Sequence, residues 1–499
     1  MQIKINDVNH YRKLNKLLKR IYVKELINMK NILIGGKWID TSNYIEVINP
    51  YTGKSIDLVS KASPELLKEA VDSAARGSKI MRSLSRYKRY EILSKTAELM
   101  MKRKDELAMT MTLESGKPLA FSKGEVSRAH ETIVLSAEEA KRLGGEVIPF
   151  DAAPTSMDRY CFYIRVPVGI VLSITPFNFP LNLVCHKIGP AIAAGNSIIH
   201  KPASKTPLTS LILGEILLQA GLPKEALNIV ICSAEDTEKY LVKNPSIRKI
   251  SFTGSKIIGE RITSNAGLKK ISMELGSNSG VIIDENVNID KAVSAVKMGA
   301  FGYSGQVCIH CQRAYVHESV YEEFREKIVN AANNLVIGNP IEMTTDIGPM
   351  IDEKEAVRVK SWLEEAKSQG AKILCGGERD GPILRPTVIE NVTEEMKIVK
   401  DETFGPTLAL IPFADFKDAV SKLNDSIYGL QAGVFTENLR NAYYAIDNLD
   451  VGGVMINDIP TFRIDLMPYG GVKNSGYGRE GPRHAIEEMT EIKCVRFHI

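Results

Sequence analysis

From about Val168 to Gly276, short β-branched runs alternate with stretches whose apolar residues recur at helical spacing. VGIVLSIT (168–175) precedes an Ala-rich stretch from His186 to Ala194, then SIIHK (197–201). A helix beginning near Thr206 leads to ALNIVIC (226–232), another to RKISFTG (248–254), and a further one to KKISMEL (269–275). Strands alternating with helices predict parallel β-α-β units in a doubly wound α/β sheet. Such sheets bind ligands at the carboxyl ends of their strands, where TPFNFP, KPASKTP and FTGSKIIG fall here. The alternation resumes from about Asp284 to His484, so a second α/β domain is expected. Between Pro64 and Leu143 the pattern is mostly helical. Two isolated strand-like runs, Tyr160 to Val166 and the terminal KCVRFHI, are expected to pair as an arm that reaches another subunit.

At 499 residues the chain is too long for one simple core, which agrees with two large domains. Apolar residues make up 44% and charged residues 25%, an ordinary globular balance, and a net charge of +4 gives no argument for nucleic acid. Seven cysteines without disulfide-like spacing and without a secretory signal point to a reducing cytoplasm. No apolar run reaches the ~18 to 20 residues of a membrane span. Residues 1–28 stand apart: seven Lys or Arg face two acids, and Tyr11, Leu14, Leu17, Leu18, Ile21 and Tyr22 fall at helical spacing. A basic amphipathic surface helix is the reading, with an extension ahead of Met29 or a membrane- or partner-binding helix as alternatives.

The densest chemistry is YSGQVCIHCQR, from Tyr303 to Arg313. A structural zinc site needs four ligands, and no second Cys/His pair accompanies this one. A redox C-x-x-C belongs at the start of a helix in a thioredoxin-like unit, not deep in a two-domain chain. An ordinary core residue suits Cys311. Cys308, in GQVC, has other company: a carboxylate at a strand end (Glu274 in MELG) and an asparagine in the PFNFP turn (Asn178). A thiol near pKa ~8.5 needs a base or a positive field to react. A carboxylate serves as such a base, and an amide donates to an oxyanion.

Together ITPFNFP (174–180), GNSIIHKP (195–202), FTGSKIIGE (252–260), MELG (273–276), GQVC (305–308), DETFGP (401–406) and MPYGGVKNSGYGREG (467–481) resemble the aldehyde dehydrogenase superfamily. The resemblance runs from about Met29 to the C-terminus. It implies a Rossmann-like dinucleotide-binding domain (29–147 and 168–276), a catalytic domain (277–484) and a small β oligomerisation arm (148–167 and 485–499) in a homodimer or homotetramer. It implies Cys308 as nucleophile, Asn178 and the Cys308 N–H as oxyanion donors, and Glu274 as the base that activates water. For the cofactor it implies Thr175, Pro176, Lys201 and Leu275, then Ser255 at a helix start with Gly254 and Gly259 permitting close approach, and Glu402 holding the nicotinamide ribose with Phe404 packing nearby.

Departures from the family pattern refine the expectation. Where many NAD-using relatives carry a ribose-gripping glutamate, this chain has Ser204 followed by Lys205, which favours NADP, with NAD as the alternative. ELGS replaces ELGG after Glu274 without removing the carboxylate, so thioester hydrolysis is expected rather than coenzyme A acylation. Arg463 lies ahead of the glycine-rich motif and is expected to bind a polar aldehyde such as lactaldehyde or glyceraldehyde, unless it forms a salt bridge with Asp465. Val307 stands where phosphate-binding relatives often have arginine, which argues against glyceraldehyde 3-phosphate. That substrate and succinic semialdehyde remain alternatives, and a non-enzymatic descendant is the alternative of another class. No metal is expected.

Overall fold

The computed structural model describes residues 31–154 and 160–497, so the basic segment 1–28 lies outside the described residues. The first sheet has eight strands, in the order Lys37–Ile39, Ile32–Ile34, Leu227–Ile229, Ser197–Lys201, Ile170–Ile174, Ile247–Thr253, Lys270–Glu274 and Gly476–Tyr477. The five strands from Leu227–Ile229 to Lys270–Glu274 run parallel, and the outer ones are antiparallel additions. Ile170–Ile174 is buried at every position, as helices on both faces require of a parallel strand. The strand order reverses beside it, so Thr175, Lys201 and Thr253–Gly254 emerge together at one crevice.

The second sheet has seven strands, with Arg313–His317 at its centre and Gly280–Ile283 between it and Gln431–Phe435. All its pairings are parallel except that of the edge strand Lys372–Cys375. A third sheet joins Gly145–Ile148, Tyr160–Pro167 and Thr490–Phe497, all antiparallel. On one face of this arm the Cys161 and Cys494 sulfurs lie 3.4 Å apart. The helices Pro64–Ser83, Arg86–Lys102, Lys104–Ser115 and Leu119–Arg142 follow the first two hairpins, and Ser63 and Ser85 cap the first two by accepting backbone N–H bonds.

Helix Asn182–Ala194 is buried along its whole length, although it carries His186 and Lys187. Both need internal partners there, and these are given below.

The turn that carries Cys308 is backbone-strained. Tyr303, Ser304 and Gly305 have φ of 51°, 54° and 67°, three successive left-handed residues. Tyr303 Oη donates to Ser115 O at 3.3 Å, Ser304 Oγ to Gly348 O at 2.8 Å, and Gln306 Oε1 accepts from Ile351 N at 2.8 Å. A Cβ on Gly305 would sit 2.0 Å from the Gly405 carbonyl oxygen. Gly305→Ala is therefore expected to destabilise the protein by about 2 kcal/mol or more, read as a lower urea midpoint at unchanged slope.

Candidate active site

Cys308 is half-buried, and its Sγ lies 3.0 Å from the Tyr469 hydroxyl. Cys311, three residues on, is fully buried in the core beneath the second sheet, and its N–H donates to Gly299 O. His310 is turned inward as well, with Nε2 at 2.9 Å from the Ala300 carbonyl. The C-I-H-C run is thus one site residue followed by core. Among the described residues no group of His, Cys, Asp and Glu is arranged to hold a metal ion.

Asn178 sits in the turn after Ile170–Ile174, where its Oδ1 accepts from Phe179 N at 3.1 Å and its Nδ2 donates to Gln306 O at 3.0 Å. That second bond ties the amide to the Cys308 loop and leaves its other N–H for the cavity both residues line. Glu274 ends its strand at the same cavity, 2% exposed, with neither carboxylate oxygen bonded to protein. Cys308, Glu274 and Asn178 thus come from three parts of the chain to one wall.

The cavity has a volume of about 560 Å³ and runs from Cys308 past Glu402 and Phe404 to Gly254 and Ser255. A smaller groove of about 270 Å³ continues it through Thr175, Pro176 and Ser255 to Lys201 and Ala203. An elongated crevice with an unpartnered Thr175 Oγ1 and Thr253 Oγ1 in its walls suits an extended, polar dinucleotide. Ser255 opens helix Lys256–Ala266, whose first N–H groups suit a pyrophosphate. Glu402 Oε1 accepts from Ser277 N at 3.1 Å, and its carboxyl fills the space a Cβ on Gly276 would need. Phe404 stands edge-on to Phe177, centroids 5.9 Å apart. Lys201 Nζ reaches Pro202 O, and Ser204 is exposed beside it.

Three expectations change on inspection. The space beside Gly259 is taken by Leu275, so that glycine makes room for the chain's own side chain, and Gly254, which lines both cavities, does the same for the Phe252 ring on its other side. Lys205 is ion-paired to Asp352, whose other oxygen caps the helix Glu353–Ser368. Arg463 does not line the cavity, nor does it pair with Asp465. Its Nη2 lies 3.1 Å from Glu480 and 3.0 Å from His186, and its guanidinium covers the Tyr469 ring at 3.7 Å. Glu480 also holds Lys187 Nζ at 2.9 Å, while Asp465 takes Arg128, His186 and Asn182.

A second cavity of about 650 Å³ opens beyond Val307, walled by Phe121, Phe179, Tyr303 and Phe462 with Lys117 and Arg128. Lys117 is bonded to Glu125 and lies over the Phe179 and Tyr303 rings. Arg128 makes two bonds to Asp465, at 2.9 and 3.1 Å. The sequence reading missed Arg128, Tyr469, Lys187 and Glu480. Tyr469 and Glu480 lay inside a matched motif, but the other two sat on helices with nothing local to mark them.

Burial pushes the Cys308 thiol up to about 11; the Tyr469 hydrogen bond and Arg463 oppose this, and Glu402 and Glu274 add to it. Burial and then the Glu480 charge raise the Glu274 carboxyl well above the ordinary range, against Lys187, Arg463 and Arg479. Burial also raises Glu402, to about 7. Since only the thiolate alkylates, iodoacetamide modification of Cys308 in the free protein is expected to accelerate about tenfold per pH unit from pH 7, with no plateau below about pH 10. A plateau near pH 7 would contradict it.

Residues 38–495 match the aldehyde dehydrogenase family. The chain is 45% identical to the 3-sulfolactaldehyde dehydrogenase of Priestia aryabhattai, over 94% of this chain and 98% of that protein. It is 43% identical to the lactaldehyde dehydrogenase of Methanococcus aeolicus, over 93% and 99% of the two. Among solved structures it is similar to a glyceraldehyde-3-phosphate dehydrogenase of Methanocaldococcus jannaschii complexed with NADP, with a TM-score of 0.89, 41% identity, and coverage of 92% of this chain and 100% of that one. With the family's match spanning most of its length, and the thiol, carboxyl and amide gathered at one crevice, the chain belongs to the aldehyde dehydrogenase family.

Proposed function

We propose that this dehydrogenase oxidises a small, neutral 2-hydroxyaldehyde, of the lactaldehyde or glyceraldehyde type, to its carboxylic acid, with NADP preferred over NAD. The observation that carries the substrate reading is the charge balance of the cavity beyond Val307. Its two cations, Lys117 and Arg128, are each bonded to a carboxylate, and an apolar side chain adjoins the nucleophile. A dianionic phosphate would need an uncompensated cation, whereas hydroxyls suit a balanced, partly aromatic wall. The relative named for lactaldehyde supports the same class, and the one named for 3-sulfolactaldehyde shares the 2-hydroxyaldehyde unit but adds a sulfonate anion. Succinic semialdehyde and glyceraldehyde 3-phosphate are the second reading, which requires Arg128 to leave Asp465; its side chain is 33% exposed, so that release has room.

In this mechanism Cys308 Sγ attacks the carbonyl carbon, and the oxyanion forms against Asn178 Nδ2 and the Cys308 N–H. A bound NADP supplies the hydride acceptor for oxidation of the resulting thiohemiacetal. Lys201, Ser204 and Ser255 hold the adenosine ribose and phosphates, and Glu402 and Phe404 hold the nicotinamide end. The carboxylate on the adenosine groove, Glu238, is itself ion-paired to Arg261. Glu274, its oxygens free of protein partners, takes a proton from the water that cleaves the thioester. The exposed Val147, Ile164, Ile492 and Phe497 on the arm support a homodimer or homotetramer, and seven free thiols suit a reducing cytoplasm. No described helix is long and apolar enough to cross a membrane.

Initial rates of NADPH formation across lactaldehyde, glyceraldehyde, glyceraldehyde 3-phosphate and succinic semialdehyde test the substrate; either anion leading would overturn the neutral reading. Ser204→Glu is expected to lower kcat/KM for NADP about tenfold or more, because a carboxylate opposes the 2′-phosphate, while NAD is spared. Glu274→Gln is expected to lower steady-state turnover by about 10² to 10⁴ and to leave a first-turnover burst, since only thioester hydrolysis loses its base. Loss of the burst as well would move Glu274 to an earlier step.

A further inference from the structure

Tyr469 is 2% exposed and held on every side. Arg463 covers one ring face at 3.7 Å, and the backbone exchanges two hydrogen bonds with Glu480. Its hydroxyl has one partner among the described residues, the Cys308 sulfur at 3.0 Å. The atom that satisfies this buried hydroxyl is therefore the atom that reacts.

When the carbon–sulfur bond forms, the thiolate becomes a neutral sulfide, a weak acceptor, and the tyrosine O–H is left buried without a good partner. The former carbonyl oxygen is turned toward Asn178 and the Cys308 N–H. An oxygen on the next carbon stands three bonds from the sulfur, within reach of a donor that already touches it. A plain aliphatic aldehyde has nothing to offer there.

We propose that the Tyr469 hydroxyl selects the substrate: it holds the Cys308 sulfur in the free enzyme and transfers its hydrogen bond to the 2-hydroxyl oxygen as the thiohemiacetal forms. The inference rests on the reading of Cys308 as nucleophile and of a 2-hydroxyaldehyde as substrate. The thiol proton passes to water in the cavity before attack, one carbon–sulfur bond forms, the carbonyl π bond becomes the oxyanion, and Tyr469 keeps its own proton throughout. Arg463, ion-paired to Glu480, acts as a positioning residue that keeps the ring in place.

The test compares kcat/KM for lactaldehyde, propanal and 3-hydroxypropanal in the wild type and in Tyr469→Phe, all with NADP. The wild type is expected to favour lactaldehyde over both others by about tenfold or more. In Tyr469→Phe that preference should fall about tenfold, with the loss concentrated on lactaldehyde. A wild-type preference that survives the substitution, or equal losses on lactaldehyde and propanal, overturns the role of Tyr469 and leaves the substrate class standing. A wild type that favours propanal overturns both. If 3-hydroxypropanal matches lactaldehyde in the wild type, the placement at carbon 2 fails, whatever the folding of the variant.

Discussion

Six ionisable side chains lie around Cys308, all but Arg128 with little access to water, and each has to be matched by the others. Lys187 and His186 come from the helix Asn182–Ala194, Arg463 and Asp465 from the chain just before the glycine-rich motif, and Glu480 from the end of that motif; Arg128 reaches in from a third segment. An unmatched charge at such a place is strongly destabilising, so none of the five buried partners is free to move alone. Burial pushes the Glu480 carboxyl up, but Lys187 and Arg463 overrule it and hold it near 2. The position of Tyr469 follows from this balance, because the loop that carries it is anchored on both sides by Arg463 and Glu480.

The same balance shapes the reactivity. Glu274 faces a carboxylate, Glu480, whose charge disfavours its own ionisation, while Lys187, Arg463 and Arg479 pull the other way. Burial alone would leave Cys308 an inert thiol, and the hydrogen bond from Tyr469 together with the charge of Arg463 is what works against that. A thiol pushed up to about 11 by burial keeps Cys308 from indiscriminate alkylation near neutral pH.

Much of the architecture was legible because burial on two faces leaves continuous β-branched runs, and VGIVLSIT and SIIHK are such runs. The crevice residues were legible because turn chemistry and strand ends coincide: Asn178 in a proline-bounded turn, Glu274 closing its strand. Arg463 misled for the opposite reason. Its neighbour Asp465 suggested a local pair, yet Asp465 is bonded to Arg128, 337 positions away, and Arg463 to Glu480. Side-chain partnerships at that separation leave no periodic trace. Gly254 and Gly259 were visible as glycines, but only packing shows that Phe252 and Leu275 fill the space.

The strand that bears Glu274 pairs on its outer side with Gly476–Tyr477, Glu274 itself opposite Gly476. The eight-stranded sheet is therefore finished by residues synthesised about two hundred positions after its last parallel strand. At ribosomal speeds of ~5–20 residues per second, that edge stays open for roughly 10 to 40 s. Throughout that interval the nascent sheet carries an unsatisfied strand edge at Glu274, a template for wrong pairing. The interval in which this protein is most exposed to aggregation is thus set by where its C-terminal glycine-rich turn lies in the chain.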